Sequence, residues 1–352
     1  MPGIPIEYWK RLWESNPALK DFSESFPPGW VGEKSGHIVG YIGNIPFRYS
    51  LNGNTVKVVA GHKFVAEKGT YPLAKRLINE VVTQPAIDLI ISTTAEKSTH
   101  VLCRRFHKFV PLPEMFGPAV YFWVIRGSAL VRAILLKKGF PLPLATLGGF
   151  LAGLPVSVLG RVKKVRAVPQ MEDEQCNSIT AEQIGESFNE LWERVSRKSP
   201  KLLAYRDADT LKWYCGLLND NGEVTIVTLK SGGVLRGYAV LQRADSRKLR
   251  LRRQIIIDVF FENGDEQVAR RLFMHCGRIA RDAGADVLEA PHLSPELAAI
   301  ARSSGTIQRH ALTSEYASYL YHGERHAEAL SSPATWSLGP YDGDAMLGLG
   351  PT

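Results

Sequence analysis

Two side chains of this 352-residue chain have neighbours that suit acid–base chemistry, His62 and Asp258. His62 lies in Thr55–Val65, TVKVVAGHKFV, three residues before the run ends at Val65. An imidazole titrates near neutral pH and can take a proton from an amine. Asp258 interrupts the apolar run Ile255–Phe261, IIIDVFF. A carboxylate there must be paired or open on a cleft, because burying it alone is costly. Glu67 is a second candidate base, and Tyr71 a candidate proton donor. A base and an acid of these kinds move protons to and from a reacting group. His100, Cys103 and His107 fall at helical spacing, but Arg104 and Arg105 stand beside them and a fourth ligand is missing, so no metal is expected. In His322–His326, HGERH, the Glu is misplaced for a zinc motif, and Asp342–Asp344 is too short for a calcium loop. The absence of a Walker loop, a Rossmann fingerprint and a GxSxG elbow counts against an NTPase, a dehydrogenase and a serine hydrolase.

The elements that must position these groups centre on Gly36–Val82. His37–Tyr49 is rich in β-branched and aromatic residues, and Asn52-Gly53 is a hairpin signal. Thr55–Val65 follows as a strand with Val56, Val58 and Ala60 on one face. Leu73, Leu77, Ile78 and Val81 then recur at helical spacing after Pro72, a residue favoured in a first helical turn. A hairpin feeding a loop and a helix N-terminus can hold an anion, because free amides and the positive end of the helix dipole converge there. Upstream, Pro5–Asn16 reads as a helix with Trp9, Leu12 and Trp13 on one face, aromatics able to pack on the sheet or line an acceptor pocket. Downstream come a strand at Ile87–Ser92, a helix over Ala95–Phe106, and strands at Phe109–Pro113 and Ala119–Ile125.

The order Gly36–Val65, a loop, then Leu73–Val81 (LAKRLINEV) resembles the centre of a GNAT-superfamily acyltransferase. In that family a strand ending in Val leads into a Gly/Ala-containing loop whose amides bind the pyrophosphate of CoA. The resemblance places Val65 at the strand's end and assigns Lys68, Gly69, Thr70, Tyr71 and Ala74 to the cofactor loop. Acetyl-CoA or a longer acyl-CoA is the implied co-substrate. The loop lacks the family's Arg/Gln, and Pro72 contributes no N–H.

A second domain is expected from Val168, with a helix over Ile179–Arg197, strands at Val224–Leu229, Gly237–Arg243 and Leu249–Phe261, and a helix over Asp265–Ala283. Asp286–Ala290 and Tyr316–Tyr321 supply further strands around a helix at Ser294–Ser303. The plan repeats that of the first half, so the expected architecture is α/β (α+β): two GNAT-like domains, each a mixed, mostly antiparallel sheet flanked by helices. The expected boundaries are 1–126, a connecting segment 127–167, 168–322, and a loosely ordered tail 323–352. Glu262 and Asp265 stand where the second phosphate loop would be and would repel a pyrophosphate. Tandem GNAT-like chains resemble N-acyltransferases of polysaccharide or cell-envelope pathways, which implies a small-molecule, sugar or lipid amine as acceptor. They also resemble Fem-type aminoacyltransferases, which implies aminoacyl-tRNA as donor instead. A third alternative is a non-catalytic, membrane-associated protein that kept the fold.

The net charge is +8, and eight positive charges (Arg126, Arg132, Lys137, Lys138, Arg161, Lys163, Lys164 and Arg166) fall between Glu114 and Glu172, where no acidic residue stands. Ser128–Lys138 reads as an amphipathic helix, and Gly139–Gly160 carries no charge. Its prolines and glycines disfavour a regular spanning helix, which leaves an interfacial anchor on an anionic membrane or an interdomain packing element. A second basic cluster runs from Arg243 to Arg253 and could meet phosphates of lipid or tRNA. Four scattered cysteines without a CxxC pair, and an N-terminal stretch without a signal-peptide core, fit a cytoplasmic chain, peripheral to a membrane at most.

Overall fold

The computed structural model describes residues 5–112, 119–161, 173–220, 222–262, 264–310, 316–323 and 326–347, without the side chains of 154–161 and His310. In chain order the helices and strands are α1 (Ile6–Trp13), β1 (Gly29–Lys34), β2 (His37–Leu51), β3 (Asn54–Ala66), α2 (Tyr71–Val82), β4 (Leu89–Ser92), α3 (Lys97–His107), β5 (Val110–Pro111) and β6 (Ala119–Val124). Then follow α4 (Gly127–Lys137), α5 (Leu142–Arg161), β7 (Gln175–Ile179), α6 (Glu186–Ser196), β8 (Leu203–Ala204), α7 (Ala208–Asn219), β9 (Val224–Ser231), β10 (Val234–Arg243) and β11 (Arg253–Phe261). The last are α8 (Glu266–Asp282), β12 (Val287–Pro291), α9 (Pro295–Ser303), β13 (Ile307–His310), β14 (Ser318–Tyr321) and α10 (Ala327–Ser331).

The hairpin β2–β3 turns at Asn52 (φ 52°) and Gly53 (φ 76°), with Leu51 opposite Asn54. Two successive left-handed residues match the strands' own twist, which is why Asn-Gly serves here. Along β3, Val56, Val58 and Ala60 are buried as period two requires. Helix α2 buries Ala74, Leu77, Ile78 and Val81 against this sheet. Their cluster includes Ile42, Val59, Ile87, Ile90, Cys103 and Phe109, the core of the first unit.

The chain divides into two compact units, one of 1–115, 196–217 and 312–348, the other of 116–195, 218–311 and 349–352. The first contains a seven-stranded sheet in the order β1-β2-β3-β4-β14-β5, with β8 on β2; the second contains β7-β9-β10-β11-β12-β6-β13. Among the described residues both sheets are mixed and mostly antiparallel, with one parallel pair of strands each, β3–β4 and β11–β12. Written side by side, 1-2-3-4-x-5 and 9-10-11-12-x-13 are one plan. Position x is exchanged: β14 fills it in the first sheet and β6 in the second. The expected repeat is there, but its units are not the contiguous blocks 1–126 and 168–322. Nothing in a strand's own sequence says which sheet it will join, so this exchange is invisible before folding.

Four further differences separate the structure from the expectation. Residues 196–217 belong to the first unit because β8 pairs with β2, Tyr49 opposite Ala204. The helix expected from Ile179 begins at Glu186, after strand β7 and a short 3-10 turn closed by a Thr180–Gln183 capping box. The segment 142–161 is a helix despite its glycines, with Pro143 in the first turn, where no amide is missed. The tail expected to be loose is instead packed: Trp336, Leu338, Tyr341, Asp342, Asp344, Met346 and Leu347 are all buried. The expected strand end at Pro113 and the basic residues Lys163, Lys164 and Arg166 lie outside the described residues.

Candidate functional site

Strands β3 and β4 run parallel only from Val58 opposite Leu89 to Ala60 opposite Ile91. Beyond that point β3 continues to Ala66, while β4 ends at Ser92. The edge of β3 that faced β4 is thereby released, and the strands part into a notch that the tail residues Gly343 and Asp344 fill. His62 sits at this parting. Directly after it the β2–β3 register slips: Gly43 faces His62 and Tyr41 faces Val65, so β3 carries one extra residue. Lys63 takes up the slip with a left-handed φ of 51°. Such a bulge bends a strand and re-aims its side chains, and bulges concentrate next to active sites.

His62 is 1 % exposed, and its Nδ1 lies 3.1 Å from Asp344 Oδ2. Asp344 comes from the buried tail and bridges the notch: it also accepts from Thr93 Oγ1 (2.7 Å) and Thr94 Oγ1 (3.0 Å), just past β4. A carboxylate on Nδ1 fixes the proton there and leaves Nε2 with its lone pair. The buried Nε2 has no hydrogen-bond partner. Trp9 lies edge-on to the imidazole at 6.2 Å, stacks on Trp13 at 4.7 Å and meets Tyr41 edgewise at 5.7 Å. A Cβ placed on Gly43 would come 2.7 Å from Tyr41 Oη and 3.2 Å from His62 Cβ, so this glycine lets the phenol lie close to the imidazole. Burial pushes the Tyr41 hydroxyl above its ordinary pKa, so it stays protonated at neutral pH.

The tail is anchored one turn earlier. Arg206, buried, pairs with Asp342 at 3.3 Å and lies over the Tyr341 ring at 4.5 Å. Asp342 also accepts from the Gly339 amide at 2.6 Å. Gly343 is pressed into the notch, where a Cβ would stand 3.0 Å from Thr93 Oγ1 and 3.3 Å from Ile91 Cδ1.

The remaining sequence candidates fall in three places. Val65 is 63 % exposed at the end of β3, and Glu67, Lys68 and Gly69 form an exposed loop with Gly69 at φ 90°. Thr70 turns this loop into α2 by donating its amide and hydroxyl to the Glu67 carbonyl (3.1 and 2.6 Å), and the Ala74 amide is spent on Thr70 O. The free amides of the first helical turn are those of Tyr71 and Leu73, since Pro72 has none. Tyr71 is half exposed and turned to Phe106, ring centroids 6.0 Å apart, so the phenol next to His62 is Tyr41, not Tyr71.

Asp258 belongs to the second unit, at a bulge of the same kind: Val240 faces Asp258 and Leu241 faces Ile256, just past the end of the β11–β12 parallel pairing at Ile255. Its carboxylate is buried and accepts from Tyr238 Oη at 3.1 Å, the paired one of the two alternatives. The loop that should receive an anion is already answered from within. Glu262 pairs with Arg194 at 2.9 Å and Arg236 at 3.7 Å, and Asp265 caps α8 through the Val268 amide at 3.2 Å. Among the described residues no cluster of three or more potential ligands could hold a metal.

Sequence reasoning singled out His62 and the Trp9 face but did not name Asp344, Thr93, Thr94 and Tyr41, which the structure sets around His62. The one available signal was two carboxylates, Asp342 and Asp344, set among Tyr341, Met346 and Leu347 in a tail otherwise read as loose.

No protein-family model and no curated sequence matches the chain. Among solved structures it is similar to Eis1 from Mycobacterium abscessus, at 14 % identity over 90 % of this chain and 70 % of that one, with a TM-score of 0.47. It is similar to Saccharomyces cerevisiae N-myristoyltransferase with bound myristoyl-CoA, at 13 % identity over 90 % and 70 %, TM-score 0.49. It is also similar to a GCN5-related N-acetyltransferase from Kribbella flavida, at 13 % identity over 74 % and 51 %, TM-score 0.43.

Proposed function

We propose that the first unit transfers an acyl group from a CoA or carrier-protein thioester to an amine, carried by a small-molecule, sugar or lipid acceptor of cell-envelope or polysaccharide synthesis. The observation that carries this is the buried His62, oriented by Asp344 at the point where two parallel strands part, with Nε2 unpartnered. A base so held is aimed by the fold.

The thioester arm would lie along the released edge of β3 between Lys63 and Ala66, leading its phosphates to the 66–70 loop and the first turn of α2, where Lys68 and Lys75 add positive charge. His62 Nε2 takes a proton from the acceptor ammonium. The freed nitrogen forms a bond to the thioester carbonyl carbon, and as that tetrahedral centre collapses the C–S bond breaks. Tyr41 Oη gives its proton to the leaving thiolate and regains one from the imidazolium, while the second proton of the attacking nitrogen passes to solvent, which leaves a neutral amide and returns both groups to their starting state. Trp9 and Trp13 form an apolar wall beside this base that excludes water. The second unit's loop, filled by Glu262 and Asp265, supports assigning the chemistry to the first.

The test is thiol release from acetyl-CoA and longer acyl-CoAs with a panel of amines, run beside thermal shifts with the same donors. Turnover that disappears in His62→Ala while donor-induced stabilisation persists supports the assignment. One observation favours a non-catalytic reading: Gly343 and Asp344 occupy the notch itself. Neither stabilisation nor thiol release with any donor would make that reading the better one; stabilisation by aminoacyl-tRNA alone would move the donor to the Fem-type class.

A further inference from the structure

Helix α5 is held to α4 by a seam of small residues. Its described buried positions are Ala145, Gly149 and Gly153, spaced by four along one face. A Cβ on Gly149 would stand 2.6 Å from Ser128 O, and one on Gly153 2.5 Å from Ser128 Cα, so the two backbones touch. The opposite face of α5 presents Leu144, Leu147, Phe150 and Leu151, exposed by 55, 56, 75 and 68 %. Phe140 and Ile134 extend the exposed apolar surface toward α4. This is a convex stripe of large side chains, not a groove.

Exposed basic residues adjoin it. Lys137 and Lys138 end α4, both exposed. The turn carrying Arg247, Lys248 and Arg250, all exposed, is tied to the same hairpin: Leu249 and Leu251 pack with Ala129, Leu130 and Ala133, and Arg132 donates to Arg250 O at 2.9 Å. Arg132 in turn lies against Gly149 of α5. The two basic clusters that are remote in sequence are therefore both held on α4, the helix that carries α5. The neighbouring carboxylates are already matched, Asp286 by Arg126 and Arg252, and Asp245 by Arg243. Among the described residues no helix is long and apolar enough to cross a membrane.

We propose that this corner of the second unit docks on an anionic lipid bilayer, with α5 lying in the interface. Leu144, Leu147, Phe150 and Leu151 enter the acyl boundary, and Lys137, Lys138, Arg247, Lys248 and Arg250 meet headgroup phosphates. Charge complementarity selects this occupant: a protein partner for such a stripe needs a groove of its own, whereas a bilayer accepts an apolar ridge with exposed cations on the helix that carries it.

Flotation of the full chain with phosphatidylcholine vesicles, with and without an equal part of phosphatidylglycerol, tests this directly. The chain rises with the anionic vesicles, less with the neutral ones, and less as salt increases. Phe150→Ser combined with Leu151→Ser lowers partitioning by roughly tenfold or more. Lys137→Glu combined with Lys138→Glu removes the preference for anionic lipid, at roughly fivefold per charge. Both variants must keep the wild-type melting temperature and elution volume. Absence of flotation at low salt, or wild-type flotation by both variants, overturns the proposal. So does a Phe150→Ser/Leu151→Ser variant that turns a dimer into a monomer without lipid effect, since the stripe would then belong to a second copy. None of these outcomes bears on His62.

Discussion

Replacing Asp344 with Asn changes one charge and almost no volume, which makes it a sharp probe of the His62 base. The Asp344 carboxylate accepts three hydrogen bonds, from His62 Nδ1 at 3.1 Å, Thr93 Oγ1 at 2.7 Å and Thr94 Oγ1 at 3.0 Å. An amide can keep the Thr93 bond through its oxygen, and the Thr94 hydroxyl can rotate to accept. It cannot serve His62 in the same way, because its NH2 now faces Nδ1 as a donor. The imidazole must move its proton to Nε2, and the lone pair aimed at the substrate is gone. A general base contributes about 10²–10⁴ in rate, or about 2.7–5.4 kcal/mol of barrier. The stability change is smaller: a charge-assisted bond worth about 1.5–3 kcal/mol is lost, partly offset because a buried carboxylate no longer has to shed its water. Thiol release should therefore fall by two to four orders of magnitude (roughly the span a general base supplies) with the melting temperature lower by only a few degrees and donor-induced stabilisation intact. His62→Ala with Asp344→Asn should be no slower than His62→Ala alone, because Asp344 acts only through the imidazole. Wild-type turnover by Asp344→Asn, or additive losses in the double variant, would refute the dyad.

Tyr41→Phe deletes the proposed proton donor while keeping the ring against Trp9. Turnover should fall by roughly 10²-fold or more, least with thioesters whose leaving thiol is most acidic, and steady-state rates across a leaving-group series measure this. Arg206→Met leaves Asp342 buried without its cation and should cost about 3–5 kcal/mol of stability; urea unfolding measures the loss, and Arg206→Met combined with Asp342→Leu should recover much of it. Burial raises the thiol of Cys103 to about 12 and that of Cys176 to about 11. A raised thiol pKa means almost no thiolate at pH 8, so both should react with an aromatic disulfide reagent only after unfolding, and labelling traces with and without denaturant check it.

The parts of the fold carried by local rules were readable from the amino-acid order. Asn52-Gly53 could be little else than a tight hairpin turn, and Leu77, Ile78 and Val81 could face only one way on a helix begun at Pro72. His62 was legible for the same reason: an ionisable group on a strand of period-two valines has few places to go. What was not legible depended on contacts far apart in the chain. Asp344 reaches its histidine across 282 positions, and the segment holding it lacks any helical or strand period, so composition alone read it as loose. Tyr41 was overlooked because its closeness to His62 rests on a missing side chain at Gly43 and on a one-residue slip at Lys63. Helix α5 was discounted for its glycines, which turn out to be the contact surface with α4.

The trade of β6 for β14 binds the fates of the two halves. While the polypeptide is being made, the sheet that carries His62 stays one rung short until residues 318–321 have left the ribosome, whatever the first hundred residues have managed by themselves. A fragment ending near residue 126 would keep a bare flank at β4 and a homeless β6, the kind of exposed ladder that draws in other chains. Separate genes for the halves would thus yield two adhesive pieces instead of two smaller proteins, unless both were present to complete each other. The arrangement is also what two identical ancestors would leave behind if they had swapped their final rungs as a dimer and were later fused end to end.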